Sequence, residues 1–273
     1  MDNPQEKKTV KTTLKELGPN LPLGVINGAE LSKAIKVKPW RMKEEKELGK
    51  LRDENRSENS ARWATIVLAT MCPQLGELDL ASMDMNKRII HIGQMSMGDV
   101  MYAYFWLRYQ SLGPSVPMEI ACPNCRKEFT LHADLESLII RTSESYDDTL
   151  WEYDLRDPFE LRGSQVNGFV ISPARWNAIE TQNTAGALDV GAAKSSVIRG
   201  SIHSVKGIGE ALALTDSDLD EMTKFDLESL TTLIDERHIG PDLAVEDKCE
   251  QCKRPFRMSL DWSYDSFFGI SSH

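Results

Sequence analysis

An α+β fold is predicted, with a helical N-terminal region followed by a zinc ribbon that a long α+β insert splits in two. Three observations predict it. Helical apolar periods lie within residues 21–117, two Cys-x-x-Cys pairs stand far apart at Cys122–Cys125 and Cys249–Cys252, and short strand-like segments occupy the interval between them. With 273 residues, 41% hydrophobic and 27% charged, the chain is long enough to bury a sizeable core as one large or two modest domains.

Residues 1–20 are polar, rich in Lys7, Lys8, Lys11 and Lys15, and without a sustained period. They read as a flexible basic arm that only contact with another subunit would order. Residues 21–117 are expected to be mainly helical. Trp63, Ile66, Val67 and Met71 recur at helical spacing from Asn59 until Pro73 stops them. A second helix starts at the cap residue Ser96, carries Val100, Tyr104, Phe105 and Leu107, and ends at Gly113-Pro114. Its five aromatics, Tyr102, Tyr104, Phe105, Trp106 and Tyr109, exceed what one buried face needs, although core packing is the favoured reading. Within the insert, residues 137–243, strands are expected at Leu150–Leu155 and Phe169–Ile171, and a helix from Ser172-Pro173 to about Gln182. A small-residue loop is expected at residues 183–195, then a helix after Thr223 with Leu227, Leu230, Leu233 and Ile234 on one face, stopping at Gly240-Pro241.

The ribbon is assigned to residues 118–136 and 244–264. Cys122, Cys125, Cys249 and Cys252 can supply the four thiolates that a tetrahedral zinc ion prefers. Either pair alone says little, but the residues C-terminal to each pair repeat at a fixed offset of 127. Arg126-Lys127 maps onto Lys253-Arg254, Phe129 onto Phe256, Asp134 onto Asp261, and the alternating Leu131, Ala133 and Leu135 onto Met258, Leu260 and Trp262. The repeat implies two knuckle-plus-strand units sharing one structural zinc ion, with iron as the other metal such a donor set accepts. Closing so long a loop is tolerable because loop entropy grows slowly with length. A redox role is disfavoured because strands, not a helix, come after both pairs. Cys72 has no sequence partner and reads as a buried thiol; His132 and His238 break the repeat and read as neighbours of the knuckles rather than ligands.

The net charge of −10, becoming −12 with four thiolates around one zinc ion, opposes a general grip on nucleic acid or anionic lipid. The first 60 residues carry 13 basic and 10 acidic side chains, so basic character is confined to the N-terminal side. The longest apolar stretch, Trp63 to Cys72, is far short of the roughly 20 residues of a membrane span. The N-terminus lacks the pattern of a signal peptide, so a cytosolic product is expected. No phosphate-binding loop, His-Glu-x-x-His or Gly-x-Ser-x-Gly motif occurs, Gly207-Ile-Gly209 lacks a third glycine, and four cysteines around a metal leave no open position for a substrate. An enzyme with a small-molecule substrate is therefore not expected. Beyond the last ribbon strand, residues 265–273 form an aromatic C-terminal tail, and Trp262, Tyr264, Phe267 and Phe268 are candidates for docking into a partner.

Taken in order, Leu21-Pro22, Ile35-Lys-Val-Lys-Pro39, Glu44-Glu45-Lys46-Glu47-Leu48, Cys122-Pro-Asn-Cys125, Gly240-Pro-Asp242, Val245-Glu246, Cys249-x-x-Cys252 and Phe267-Phe268 resemble the T-even-type bacteriophage baseplate hub protein family over roughly residues 18–270. The Lys-rich arm and the loop at 183–195 depart from it. The resemblance implies a non-enzymatic tail component or assembly factor that binds other tail or baseplate proteins, such as a hub or tape-measure protein. It would be found in the host cytoplasm during assembly and in the virion tail baseplate. A tail-assembly chaperone and a zinc-ribbon adaptor in transcription are the alternatives.

Overall fold

In a computed structural model, residues 9–27, 30–54, 59–180, 190–208, 214–263 and 267–268 are described. The chain runs β1 (Val10–Thr13), α1 (Leu14–Leu17), β2 (Asn20–Asn27), β3 (Glu30–Lys36), α2 (Met42–Glu54), α3 (Ser60–Met71), β4 (Gln74–Leu75), β5 (Leu78–Asp79), α4 (Met85–Gln94), α5 (Met97–Leu112), β6 (Ser115–Ala121) and β7 (Glu128–Asp134). It continues through β8 (Ile139–Thr142), β9 (Trp151–Leu161), β10 (Ser164–Ile171), α6 (Asn177–Glu180), α7 (Val190–Ser201), β11 (Ile202–Lys206), α8 (Asp216–Leu219), α9 (Lys224–Glu236), β12 (Gly240–Pro241), β13 (Ala244–Lys248) and β14 (Pro255–Ser259). The α+β class is as expected, and no helix among the described residues is long and apolar enough to cross a membrane.

The larger core is built on α3 and α5. Asn59 caps α3 by accepting from the Arg62 N–H, and Ser96 caps α5 by accepting from the Asp99 N–H. α5 buries Tyr102, Tyr104, Phe105 and Trp106 together with Val100 and Leu107, so from Gly98 to Arg108 it is enclosed on every side. That explains its surplus of aromatics. A second, smaller core joins β9, β10 and β11 to α7, α8 and α9 through Phe169, Val166, Ile198, Val205 and Leu230.

The two halves of the chain repeat one plan. β2-β3-β4 and β9-β10-β11 are both antiparallel in chain order, and each third strand comes after a helix, α3 or α7. Each half then has a Ser/Thr-capped helix, a Gly-Pro step and a cysteine hairpin. The offset of 127 therefore extends back from the knuckles to Gly113-Pro114 and Gly240-Pro241, and to Ser96-x-x-Asp99 and Thr223-x-x-Asp226. In each half the aspartate fastens the capped helix to a strand. Asp99 accepts from the N–H groups of Leu23 and Gly24 and from the Ser96 hydroxyl, and Asp226 accepts from the N–H groups of Arg156 and Asp157 and from Tyr153 and Thr223. The segments after the ribbon hairpins cross reciprocally. β8 pairs with β12 of the second half, while Arg108, at the end of α5, donates to the Phe267 carbonyl at 2.6 Å.

Several expectations are corrected. Part of the arm is folded on its own chain: β1 pairs with β8, Leu14 is fully buried, and Thr13 and Glu16 form a capping box on α1. Residues 1–8 lie outside the described part. Residues 21–117 carry the sheet β2-β3-β4-β5 beside their helices, which the sequence reading did not foresee. Ser172-Pro173 starts no helix, because the Ser172 N–H donates to the Ser201 carbonyl and Arg175 bridges to Ser96; helix forms only at α6. Of the expected loop at 183–195, residues 190–195 belong to α7, and 183–189 lie outside the described residues. Gly240-Pro241 does not stop α9, which ends at Glu236, but forms the strand that meets β8.

Candidate metal centre

Each cysteine pair sits at the tip of a two-stranded hairpin, with a strand before the pair as well as after it. β6 pairs with β7, and β13 with β14, in the same register: Ala121 faces Glu128 as Lys248 faces Pro255, and Ile120 faces Phe129 as Asp247 faces Phe256. Each pair is thus carried by a whole hairpin, Ser115–Asp134 and Ala244–Ser259, where the expected ribbon segments were 118–136 and 244–264.

The tips are built by the same bonds. The Cys122 N–H donates to the Lys127 carbonyl at 2.9 Å and the Arg126 N–H to the Cys122 carbonyl at 2.8 Å. Cys249 with Arg254 (3.1 Å) and Lys253 with Cys249 (2.9 Å) repeat them. Both turns need one left-handed residue, supplied by Arg126 at φ 61° and Lys253 at φ 59°. The tips lock together through the edge-to-face rings of Phe129 and Phe256, 5.9 Å apart, and a 3.4 Å bond from Asn124 Nδ2 to the Pro255 carbonyl.

This packing brings all four sulfurs within 4.8 Å of one another, with Cys122–Cys252 at 3.9 Å and Cys125–Cys249 at 3.8 Å. Cys122 and Cys249 are buried, and Cys125 and Cys252 half-buried. A tetrahedral metal with four thiolates at about 2.3 Å separates its sulfurs by about 3.8 Å, so the donor set fits a metal ion. The Cys125 N–H, aimed back at Cys122, pulls that thiol down to about 6 against the opposing effect of burial, and the Asn124 N–H, 3.4 Å from the sulfur, assists. Among the described residues no other such cluster of His, Cys, Asp and Glu occurs.

The remaining candidates fall elsewhere. Cys72 is buried at the end of α3, and burial pushes its thiol up to about 12. His132 lies 3.2 Å from the Ser115 hydroxyl, and burial takes His238 down to about 4; neither joins the sulfurs. A cavity of about 320 Å³ lined by Leu23, His91, Tyr146 and Arg175 shares no residue with the cluster.

The aromatic docking set is corrected. Phe267 and Phe268 do not stand free, because Phe267 stacks on Tyr104 at 5.3 Å and Phe268 on Trp40 at 4.7 Å, both inside the main core. Trp262 is half-buried against Trp176, and Tyr264 lies outside the described residues. The latch residues Asp99 and Asp226 escaped sequence reasoning, although the offset of 127 marks both.

The fold and site define an α+β protein of two similar halves joined at a four-cysteine centre able to hold a metal ion. The chain belongs to the family described as T4 bacteriophage base plate protein, which matches residues 26–253. It is thus a component of the bacteriophage tail baseplate class. No curated protein and no solved structure matches it.

Proposed function

We propose that the chain is a non-enzymatic, zinc-stapled scaffold of the baseplate hub or its assembly intermediate, binding other tail proteins such as a hub or tape-measure protein. The carrying observation is the four-thiol cluster, assembled from hairpins 127 residues apart within a baseplate-family chain. Cys122, Cys125, Cys249 and Cys252 would hold one zinc ion in a closed tetrahedral shell. Such a shell supplies stability and a fixed junction between the halves, with no position open to substrate. The expectation of a split zinc ribbon is kept in this form.

Two measurements test the reading. Protein purified without added zinc should contain one zinc ion per chain, and Cys122→Ser and Cys249→Ser should each abolish it; loss through only one pair would refute the shared site. Affinity purification from infected cells should recover hub or tape-measure proteins. Recovery of RNA polymerase instead would favour a transcription adaptor, and presence on assembly intermediates but not finished virions would favour a chaperone.

A further inference from the structure

Where the segment after β10 crosses onto the first half, it walls a cavity of about 320 Å³ that the four-cysteine cluster does not use. Arg175 is fixed there by the backbone on both sides: the Met97 N–H donates to the Ala174 carbonyl at 2.7 Å, and the Trp176 N–H to the Met95 carbonyl at 2.9 Å. Of the five N–H donors on its guanidinium, one goes to Gln94 Oε1 at 2.8 Å, and no carboxylate pairs with it among the described residues. His91 and Tyr146 also line the cavity, and neither side chain has a hydrogen-bond partner among the described residues. No Asp or Glu among the described residues lines it. Asp99, bonded to the lining residues Leu23, Gly24 and Ser96, is 1% exposed, and burial disfavours its charged form; Glu144, two residues from Tyr146, is paired with Lys33. Hydrogen-bond donors inside the cavity, not net charge, therefore set what fits.

Another wall is the edge of a sheet. β2 is the outer strand of β2-β3-β4-β5, and four successive residues, Leu23 to Ile26, line the cavity. Side chains alternate across a strand, so a lining run without gaps means that the cavity follows the strand's edge rather than one face. The end of β8 reaches that edge only at Pro22, whose carbonyl accepts from the Ser143 N–H. Gly24 turns its N–H away from β3, to Asp99, and alternation gives the backbone of Ile26, a residue 50% exposed, the same outward direction.

We propose that the cavity receives the C-terminal residue of a partner protein. Its free carboxylate would bond to Arg175, His91 and Tyr146, its apolar side chain would lie on Val25, Leu78 and Met95, and its backbone would add to the β2 edge at Ile26. A carboxylate only accepts, which matches the unpaired donors, and the volume has room for a residue rather than a folded element. An acidic side chain within a chain would bring a second flanking peptide group over the apolar floor, where it would lack a partner. The proposal rests on the reading of the chain as a scaffold for other tail proteins and adds how one of them is held.

The test uses the full-length, zinc-loaded chain and short fluorescent peptides ending in Ala, Val, Leu, Ile or Phe, each as free acid and as C-terminal amide, with N-acetyl-leucine as competitor. The best free acid should bind about tenfold or more tightly than its amide, and Arg175→Gln, at an exposed side chain, should lose about tenfold with zinc content and melting temperature held. Tyr146→Phe should lose less. Methylating the peptide nitrogens one at a time should weaken binding at one position and spare its neighbours, as pairing to a strand edge requires. Failure of every free acid to bind at millimolar concentration would overturn the proposal, as would equal binding of acid and amide or undiminished binding by Arg175→Gln. Should that variant melt lower, the contrast of acid with amide on the parent chain decides. N-acetyl-leucine binding as tightly as the best peptide would overturn the partner chain in favour of a small carboxylate. Incorporation into tails separates this from the parent reading. A wild-type chain that never enters baseplates sinks the baseplate function, whereas a wild-type chain and Arg175→Gln variant that enter equally well sink only the cavity.

Discussion

Asp99 and Asp226 stand three residues after the caps of α5 and α9, and each turns its carboxylate onto backbone N–H groups of a strand in its own half. Their titrations diverge. Burial raises Asp99 despite bonds from Leu23, Ser96 and Gly24, whereas for Asp226 burial is outweighed by Arg156, Thr223, Tyr153 and Asp157, so its carboxyl is held low. A depressed folded value means that the Asp226 contribution is complete above the ordinary aspartate range near about 3.9 and lost as pH falls through the folded value. The raised value of Asp99 gives the opposite sign: its contribution is complete below that range and lost as pH rises through the folded value. Melting temperature measured against pH should therefore show a shallower acid limb for Asp226→Asn and a flatter rise-dependent loss for Asp99→Asn. Asp226→Ala, which leaves the Arg156 and Asp157 N–H groups without their carboxylate, should cost about 1–2 kcal/mol in denaturant unfolding.

Among the elements, the short terminal ones were least legible. β1 and α1 together span only eight residues, too few for a period to emerge, and their place is settled by β8, more than a hundred residues away. Leu14 is fully buried there, and the Tyr102 hydroxyl donates to the Leu14 and Gly18 carbonyls. Leu14→Ala should destabilise by about 2–5 kcal/mol, and limited proteolysis should spare residues 10–17 until global unfolding; early cleavage there would restore the free arm. The C-terminal pair behaves likewise. Phe267 and Phe268 pack into the core, so Phe267→Ala and Phe268→Ala should each cost about 3–5 kcal/mol, with a non-additive double variant because the rings touch at 5.6 Å. By contrast α3, α5 and α9 were readable from cap and period, since local caps and apolar spacing alone suffice for long helices.

Across the whole molecule, the four-cysteine cluster and the reciprocal crossing of β8 and the Phe267 segment tie two similar halves together. Zinc binding contributes about 10–16 kcal/mol in small zinc-finger peptides near pH 7, so stripping the ion with a strong chelator should lower the melting temperature sharply and loosen the hairpins first. Hydrogen exchange would check this: residues 115–134 and 244–259 should lose protection before α3 and α5. The sequence by itself determined the four clustered cysteines and the pairing of their hairpins, because cysteine spacing and a fixed repeat are properties of local chemistry. It also determined the α+β class and the central helices. Only the tertiary structure decided that Asp99 and Asp226 fasten their helices to strands, that Gly240-Pro241 is a strand, and that the terminal aromatics are core. Each of these rests on contacts between residues remote in sequence, where burial and hydrogen bonding override what a short segment prefers on its own.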